Sequence, residues 1–217
     1  MLATSAVILT GETSKGFQDD KGTIYLDNKA LIRHVFDIVN HLVDEVIIVT
    51  NTQKRVDQYA KLLPKTPKFI IDASQTQNFL SKAIAGFEAA QCKYTLLLPY
   101  DAPFVNEKLV QFLLDLAIGK TAAVPRTPDN EIEPLCSVYQ TQTVLETAKQ
   151  AATQGVTELQ TMVENLRGVR YISMSVIEQI DPGLNSFFSI NTPLDLKRAT
   201  IMLQGKQHNV IKRQRQQ

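Results

Sequence analysis

The residues of this sequence best able to do chemistry stand just past apolar, strand-like runs. Residues 11–21, G-E-T-S-K-G-F-Q-D-D-K, follow the first such run and combine two glycines with Lys15 and Lys21. A loop of that composition between a strand and a helix can hold phosphates: backbone N–H groups face the oxygens and a lysine adds charge. Its spacing matches neither common fingerprint. Gly11 and Gly16 satisfy G-x-x-x-x-G, but Phe17 stands where the P-loop lysine belongs, and G-x-G-x-x-G is absent. On spacing alone a solvated surface loop fits as well. Residues 94–104, Y-T-L-L-L-P-Y-D-A-P-F, place Asp101 just beyond the most apolar run of the chain. A carboxylate there suits Mg2+, which takes one or two carboxylates and completes its shell with water and substrate phosphates. The competing reading is that Asp101 opens a turn. Residues 187–196, F-F-S-I-N-T-P-L-D-L, offer Asn191 and Thr192, either of which could simply cap a helix begun at Pro193.

The elements that must position these residues alternate along the chain. Residues 3–10, 45–50, 68–72 and 94–98 are short and rich in apolar residues, and read as strands. Leu31, Ile32, Val35, Ile38, Val39 and Leu42 have helical spacing, with Asn28 as the expected N-cap. Helices are also predicted over 52–63, stopped by Pro64, and over 78–90, 107–118, 141–153, 157–165 and 193–203. Further strands are predicted at 23–26, 122–125, 135–139, 169–176 and 187–190. Strands separated by helices of this length imply βαβ units. The expected fold class is α/β: three layers, α/β/α, around a mostly parallel, Rossmann-like sheet. Ligands of such sheets bind at the carboxyl ends of the strands, near the point where strand order reverses. That rule singles out residues 11–21, Asn51, Asp72, Asp101 and Asn191.

Composition narrows the function. The chain has 217 residues, 44% apolar and 21% charged, enough for one domain and outside the disordered range. Its 23 Lys and Arg against 22 Asp and Glu give a net charge of +1. Residues 204–217 hold four of the positives and no acid, and subtracting four from +1 leaves −3 for residues 1–203. A faintly acidic body argues against an extended nucleic-acid surface. Residues 1–203 read as one domain and 204–217 as a basic, flexible tail. Cys92 and Cys136 form no C-x-x-C pair and only three histidines are present, which argues against a thiolate zinc site or a disulfide scaffold. No apolar run reaches the roughly 20 residues of a membrane span, and no charged leader precedes the first strand. A cytoplasmic protein with reduced thiols and no membrane partner is expected.

Taken in order, four segments resemble one family. L-T-G-E-T-S-K at residues 9–15, then Lys21, then K-A-L-I-R-H-V at 29–35, is similar to the opening of nucleotidyltransferases: L-A-G-G-x-S-x-R-M-G-x-x-K followed by G-K-P-L-I-x-H-V. P-Y-D-A-P-F resembles their C-D-x-P-F segment, and E-P-L-C-S-V-Y at 133–139 resembles Q/H-P-L-x-x-x-Y. F-F-S-I-N-T-P-L-D-L resembles F-x-N-x-N-T-P-E-D-L. Order and spacing match over residues 3–203, and the most similar type is the molybdenum cofactor guanylyltransferase-like (MobA-like) family.

The resemblance implies a fold of the nucleotidyltransferase type and a role for each residue. Gly11 is the first glycine of the nucleotide loop, and Lys21 is its phosphate-binding, catalytic lysine. Asp101 is the catalytic Mg2+ ligand, with Asn191 beside the metal. Asn51 and Asp72 fall in the nucleotide pocket. The loop is degenerate: Glu12 stands for the second glycine, and Gly16, Phe17 and Gln18 stand for the arginine and methionine-glycine. Lys15 would replace the arginine as a point charge, without its fork. The expected activity is Mg2+-dependent transfer of GMP from GTP to molybdopterin, with release of pyrophosphate, by a monomer or weak homodimer. Cytidylyl transfer to the same acceptor and guanylyl transfer to a cobamide precursor phosphate are alternatives. The degenerate loop also supports a different class, a non-catalytic relative that binds a nucleotide or a protein as an adaptor.

Overall fold

The computed structural model describes residues 3–11, 16–17, 20–74 and 78–214. Strand β1 (Thr4–Leu9) leads into the loop that ends at a 3-10 turn over Lys21–Thr23. A small hairpin follows, β2 (Tyr25–Leu26) and β3 (Lys29–Ala30), turned by Asp27 and Asn28 at φ of 50° and 60°. Two successive left-handed residues mark a type I′ turn, which Asp and Asn tolerate. Asn28 thus serves the hairpin and not the expected N-cap: α1 (Leu31–Val39) starts from Ala30 without a side-chain cap.

The alternation then runs as the apolar pattern predicts, through β4 (Glu45–Thr50), α2 (Gln53–Leu62), β5 (Lys68–Ile71), α3 (Phe79–Ala89) and β6 (Tyr94–Pro99). Thr52 and Asn78 cap α2 and α3 by accepting from the N–H groups of Arg55 and Ser81. Next come α4 (Glu107–Ala117), β7 (Ala122–Arg126), β8 (Ser137–Gln140), α5 (Thr141–Thr153), α6 (Leu159–Glu164) and β9 (Val169–Ser173).

Three expectations change near the end of the chain. The strand predicted to reach residue 176 stops at Ser173, where α7 (Met174–Ile180) begins on the buried pair Met174 and Ile177. Residues 187–190 form no strand. Leu184 at φ 51° and the Asp181 carboxylate, which accepts the Ser186 N–H at 2.8 Å, curl the chain into a 3-10 turn over Asn185–Phe187. Helix α8 (Pro193–Gln214) runs past residue 203, so the backbone of 204–214 is helical where a flexible tail is expected.

The seven-stranded sheet has the order β5-β4-β1-β6-β8-β7-β9. β1 pairs in parallel with both β4 and β6, so strand order reverses between β1 and β6. β8 runs antiparallel to β6 and β7, while β4–β5 and β7–β9 are parallel. Alternate side chains take opposite faces. Ala6, Ile8, Ile48, Leu96 and Leu98 pack with α1, α4 and α7, whereas Val7, Leu9, Ile47, Val49 and Leu97 pack with α3, α5 and α6. Each such buried aliphatic side chain contributes about 1.5–3 kcal/mol of transfer free energy. Gly86 lets α3 lie close, since a Cβ there would stand 2.4 Å from Val7. The three expected layers are the observed ones.

A third apolar cluster matters most for function. It joins Leu26, Leu31, Phe104, Ile190 and Ala199. These are near neighbours in the chain of Lys21, Asp101 and Asn191. Burying them together draws three sequence-distant polar residues to one place. Among the described residues no helix is long and apolar enough to cross a membrane.

Candidate active site

Lys21, Asp101 and Asn191 meet beyond the carboxyl ends of β1 and β6, where strand order reverses. Lys21 Nζ donates to Asp101 Oδ2 and, at 2.8 Å, to Asn191 Oδ1, partners 80 and 170 residues away in the chain. The Lys21 and Asp101 side chains are 6% and 8% exposed. Charges so removed from water persist only when each is matched.

Backbone bonds explain the convergence. The Tyr100 N–H donates to the Leu9 carbonyl at 3.2 Å and extends the β1–β6 ladder to the edge of Asp101. The Asp101 carbonyl accepts the Ile190 N–H at 3.0 Å, which sets Asn191 beside it. Asp195, in the first turn of α8, accepts the N–H groups of Asn191 and Thr192 at 3.2 and 2.9 Å and fixes that segment. The Tyr100 ring centroid lies 5.5 Å from Lys21 Nζ. Burial, and then the Asp101 carboxylate, push the Tyr100 phenol above its ordinary value, so it stays neutral here. A carboxylate oxygen and an amide oxygen thus converge on a single positive charge. Both are hard oxygen donors of the kind Mg2+ takes.

A second polar cluster supports the turn that carries Lys21. Asp20 accepts the Gly22 N–H at 2.9 Å, the Tyr59 hydroxyl at 2.7 Å and Arg55 Nε at 2.7 Å. Arg55 Nη1 donates to the Gly11 carbonyl and, at 3.0 Å, to Asn51 Oδ1. Only glycine fits at position 22, because a Cβ there would stand 2.7 Å from the Tyr59 hydroxyl. Burial, reinforced by the Asp20 carboxylate, raises the Tyr59 phenol far above its usual range.

A cavity of about 280 Å³ opens on the site between Lys21, Asp101, Asn191 and Phe79. It shares Gly11, Phe79 and Leu135 with a larger one of about 640 Å³ that reaches Lys82 and the start of α6. Lys21 lines the smaller cavity, Lys82 the larger, and the 44% exposed Phe79 ring lines both. Adjacent cavities lined by a lysine and an aromatic ring suit a ligand with an anionic part and an organic part.

The structure unites some of the expected residues and separates others. Lys21, Asp101 and Asn191 converge, and Gly11 lines both cavities. Asn51 reaches the site through Arg55. Asp72 lines neither cavity. Its carboxylate, on a residue 4% exposed, accepts the Ser74 N–H, the Ser74 hydroxyl and the Ser81 hydroxyl at 2.9, 3.0 and 2.8 Å. It borders a separate groove between β5 and α3. Lys15 and Glu12 lie outside the described residues. Sequence reasoning misses Asp20, Arg55, Tyr59 and Phe79. The signal available for Arg55 is its place one turn beyond Asn51, in the first turn of α2.

Comparison with known proteins places the chain in a family. The family model for MobA-like NTP transferase domains matches residues 6–169, a span that includes Gly11, Lys21 and Asp101. A probable molybdenum cofactor guanylyltransferase of Methanosarcina mazei is 27% identical over 198 residues, 89% of this chain and 88% of that one. The molybdenum cofactor guanylyltransferase of Desulfosudis oleivorans is 28% identical over 200 residues, 92% of this chain and 95% of its own. Among solved structures, molybdopterin-guanine dinucleotide biosynthesis protein A of Archaeoglobus fulgidus superposes with a TM-score of 0.77 at 23% identity, covering 93% and 99% of the two chains. At that identity the likeness speaks for the fold alone. With the fold of such enzymes and a family match over most of its length, the chain belongs to the MobA-like NTP transferases and is a nucleotidyltransferase.

Proposed function

We propose that this protein transfers the GMP part of GTP to the phosphate of molybdopterin, with Mg2+, and releases pyrophosphate. The observation that carries the proposal is the convergence of Lys21, Asp101 and Asn191 on one cavity. Asp101 and Asn191 would hold Mg2+, since their oxygens already share one cation. The bound ion would supply Lewis-acid charge to the phosphates.

The rest of the chemistry falls to the protein. An oxygen of the acceptor phosphate attacks the α-phosphorus in line. The new O–P bond forms as the bond from the α-phosphorus to the α,β-bridging oxygen breaks. The electron pair leaves with pyrophosphate. An acceptor phosphate is ionised near neutral pH, so no general base is required. Lys21 neutralises charge that grows on the phosphates, and Gly11 allows them to approach the β1 end. Positioning and fixed charge therefore carry the rate. The protein would act in the cytoplasm as a monomer or weak homodimer, with Cys92 and Cys136 as free thiols.

The test is incubation with α-labelled GTP, Mg2+ and molybdopterin. Label should pass to the acceptor, with one pyrophosphate per transfer, and EDTA should stop it. Preference for CTP would move the base assignment. Transfer from neither nucleotide would favour the adaptor reading.

A further inference from the structure

We infer that Arg55 is a positioning residue for the nucleotide, a clamp that ties the two ends of the loop between β1 and Lys21. The inference rests on the reading of Lys21 as the phosphate-binding lysine. The loop leaves β1 at Gly11 and returns at Asp20, immediately before Lys21. One guanidinium reaches both ends. Its Nη1 donates to the Gly11 carbonyl, and its Nε pairs with Asp20 Oδ2 at 2.7 Å. The Arg55 and Asp20 side chains are 12% and 9% exposed, so little water screens the contact.

The geometry is specific to arginine. Two nitrogens on different edges of one rigid plane address two acceptors at once, and Nη1 also reaches Asn51 Oδ1 at 3.0 Å. A lysine offers one ammonium on a flexible stem and cannot span them. Arg55 is itself held in place: its N–H is the one that Thr52 caps at the start of α2. Asp20 is oriented from its other sides by the Tyr59 hydroxyl and the Gly22 N–H. The separation between Gly11 and Lys21 is thereby fixed before any ligand arrives. A pre-set separation of Gly11 and Lys21 spares the nucleotide the entropy of bringing these two together. Loss of the clamp should therefore appear in nucleotide affinity, with turnover of the bound nucleotide less affected.

Loss of stability alone would not distinguish a clamp from ordinary packing, because Arg55→Met strands the Asp20 charge. The double variant Arg55→Met/Asp20→Asn removes both charges. It should recover most of the melting temperature while calorimetric binding of GTP with Mg2+ stays weakened by about tenfold. Tyr59→Phe, which removes one bond to Asp20, should weaken binding by two- to threefold. Affinity that recovers together with stability in the double variant would overturn the inference. So would unchanged affinity in Tyr59→Phe and the double variant alike. Lys21→Met serves as the separate control. If Lys21→Met binds GTP with Mg2+ as the wild type does, the reading of the site itself fails. If it loses binding while the Arg55 variants do not, only the clamp fails. A wild type that binds neither GTP nor CTP would remove both.

Discussion

Asp72 and Asp101 look alike in the sequence, and the structure gives them opposite surroundings. Each follows a strand of the same parallel set, and the two residues are 4% and 6% exposed. Asp72 is satisfied within nine residues, by the Ser74 N–H and the hydroxyls of Ser74 and Ser81. Asp101 is matched by a cation 80 residues away, beside an amide from a third segment. Local neutral donors around a carboxylate brace the turn that carries it. A carboxylate matched by one ammonium can exchange it for another cation. The two aspartates therefore differ in what surrounds them, and strand-end position alone does not supply that difference.

The largest test of this contrast is Asp101→Asn. The shape is kept while the charge that faces Lys21 and would hold a cation is lost. Turnover should fall about a hundredfold, ~2.7 kcal/mol in the transition state, as when one electrostatic stabiliser is removed. Pyrophosphate release at limiting Mg2+, read beside a melting curve, checks it. Turnover within threefold of the wild type would make Asp101 a structural partner of Lys21, no different in kind from Asp72.

Lys21→Met probes the same pair from the other side. With the ammonium present, a metal ion must compete with Lys21 for the Asp101 and Asn191 oxygens. Without it, the two oxygens are available and a like charge is gone. Mn2+ should bind the nucleotide-free variant about tenfold more tightly than the wild type, ~1.4 kcal/mol. Electron paramagnetic titration of free Mn2+ measures this directly. Equal affinities would mean that divalent ions do not use Asp101.

Asp72→Asn should do less to activity and more to the fold than its sequence position suggests. The neutral amide keeps one acceptor oxygen and places an NH2 against serine donors. Losing such charge-assisted bonds costs about 1–3 kcal/mol. For a domain of this size that lowers the melting temperature by about 2–12 °C. Turnover at 25 °C should stay within threefold. A tenfold rise in KM for GTP with an unchanged melting curve would return Asp72 to the nucleotide pocket.

How much of this was legible follows from which forces were local. The alternation of β4, α2, β5, α3 and β6 reads from apolar period and caps, because each signal lies inside its own element. Asp101 and Lys21 read from position at strand ends plus the family resemblance. Asn28 misleads because a polar residue before a helix suits a cap and a left-handed turn equally, and only pairing of Tyr25 with Ala30 decides. Residues 187–190 carry a strand-like pattern, but the bend at Leu184 and the Asp181 cap act from outside it. The Arg55 clamp is invisible for the same reason: its acceptors lie 44 and 35 residues upstream, at Gly11 and Asp20.

The smallest expected effect concerns α8, whose first half is packed against the body and which is exposed at Gln204 and Gly205. In its first half Ala199 is fully buried, and Leu196, Met202 and Leu203 pack into the cluster that carries Ile190 next to Asn191. At Gln204 and Gly205 the helix is exposed, and a Cβ at Gly205 would meet nothing within 4 Å. Residues beyond this point include only Val210 and Ile211 as strongly apolar side chains. Two such residues bring too little burial to dock a terminal helix firmly against its ordering entropy. Deleting residues 206–217 should therefore shift the melting temperature by less than about 2 °C, which corresponds to under ~1 kcal/mol, and leave GTP affinity unchanged. Cutting instead after Asn191 removes Ala199 and Asp195, and should weaken both stability and nucleotide binding. A drop of many degrees from the shorter deletion would show that the end of α8 packs on the body or on a second copy.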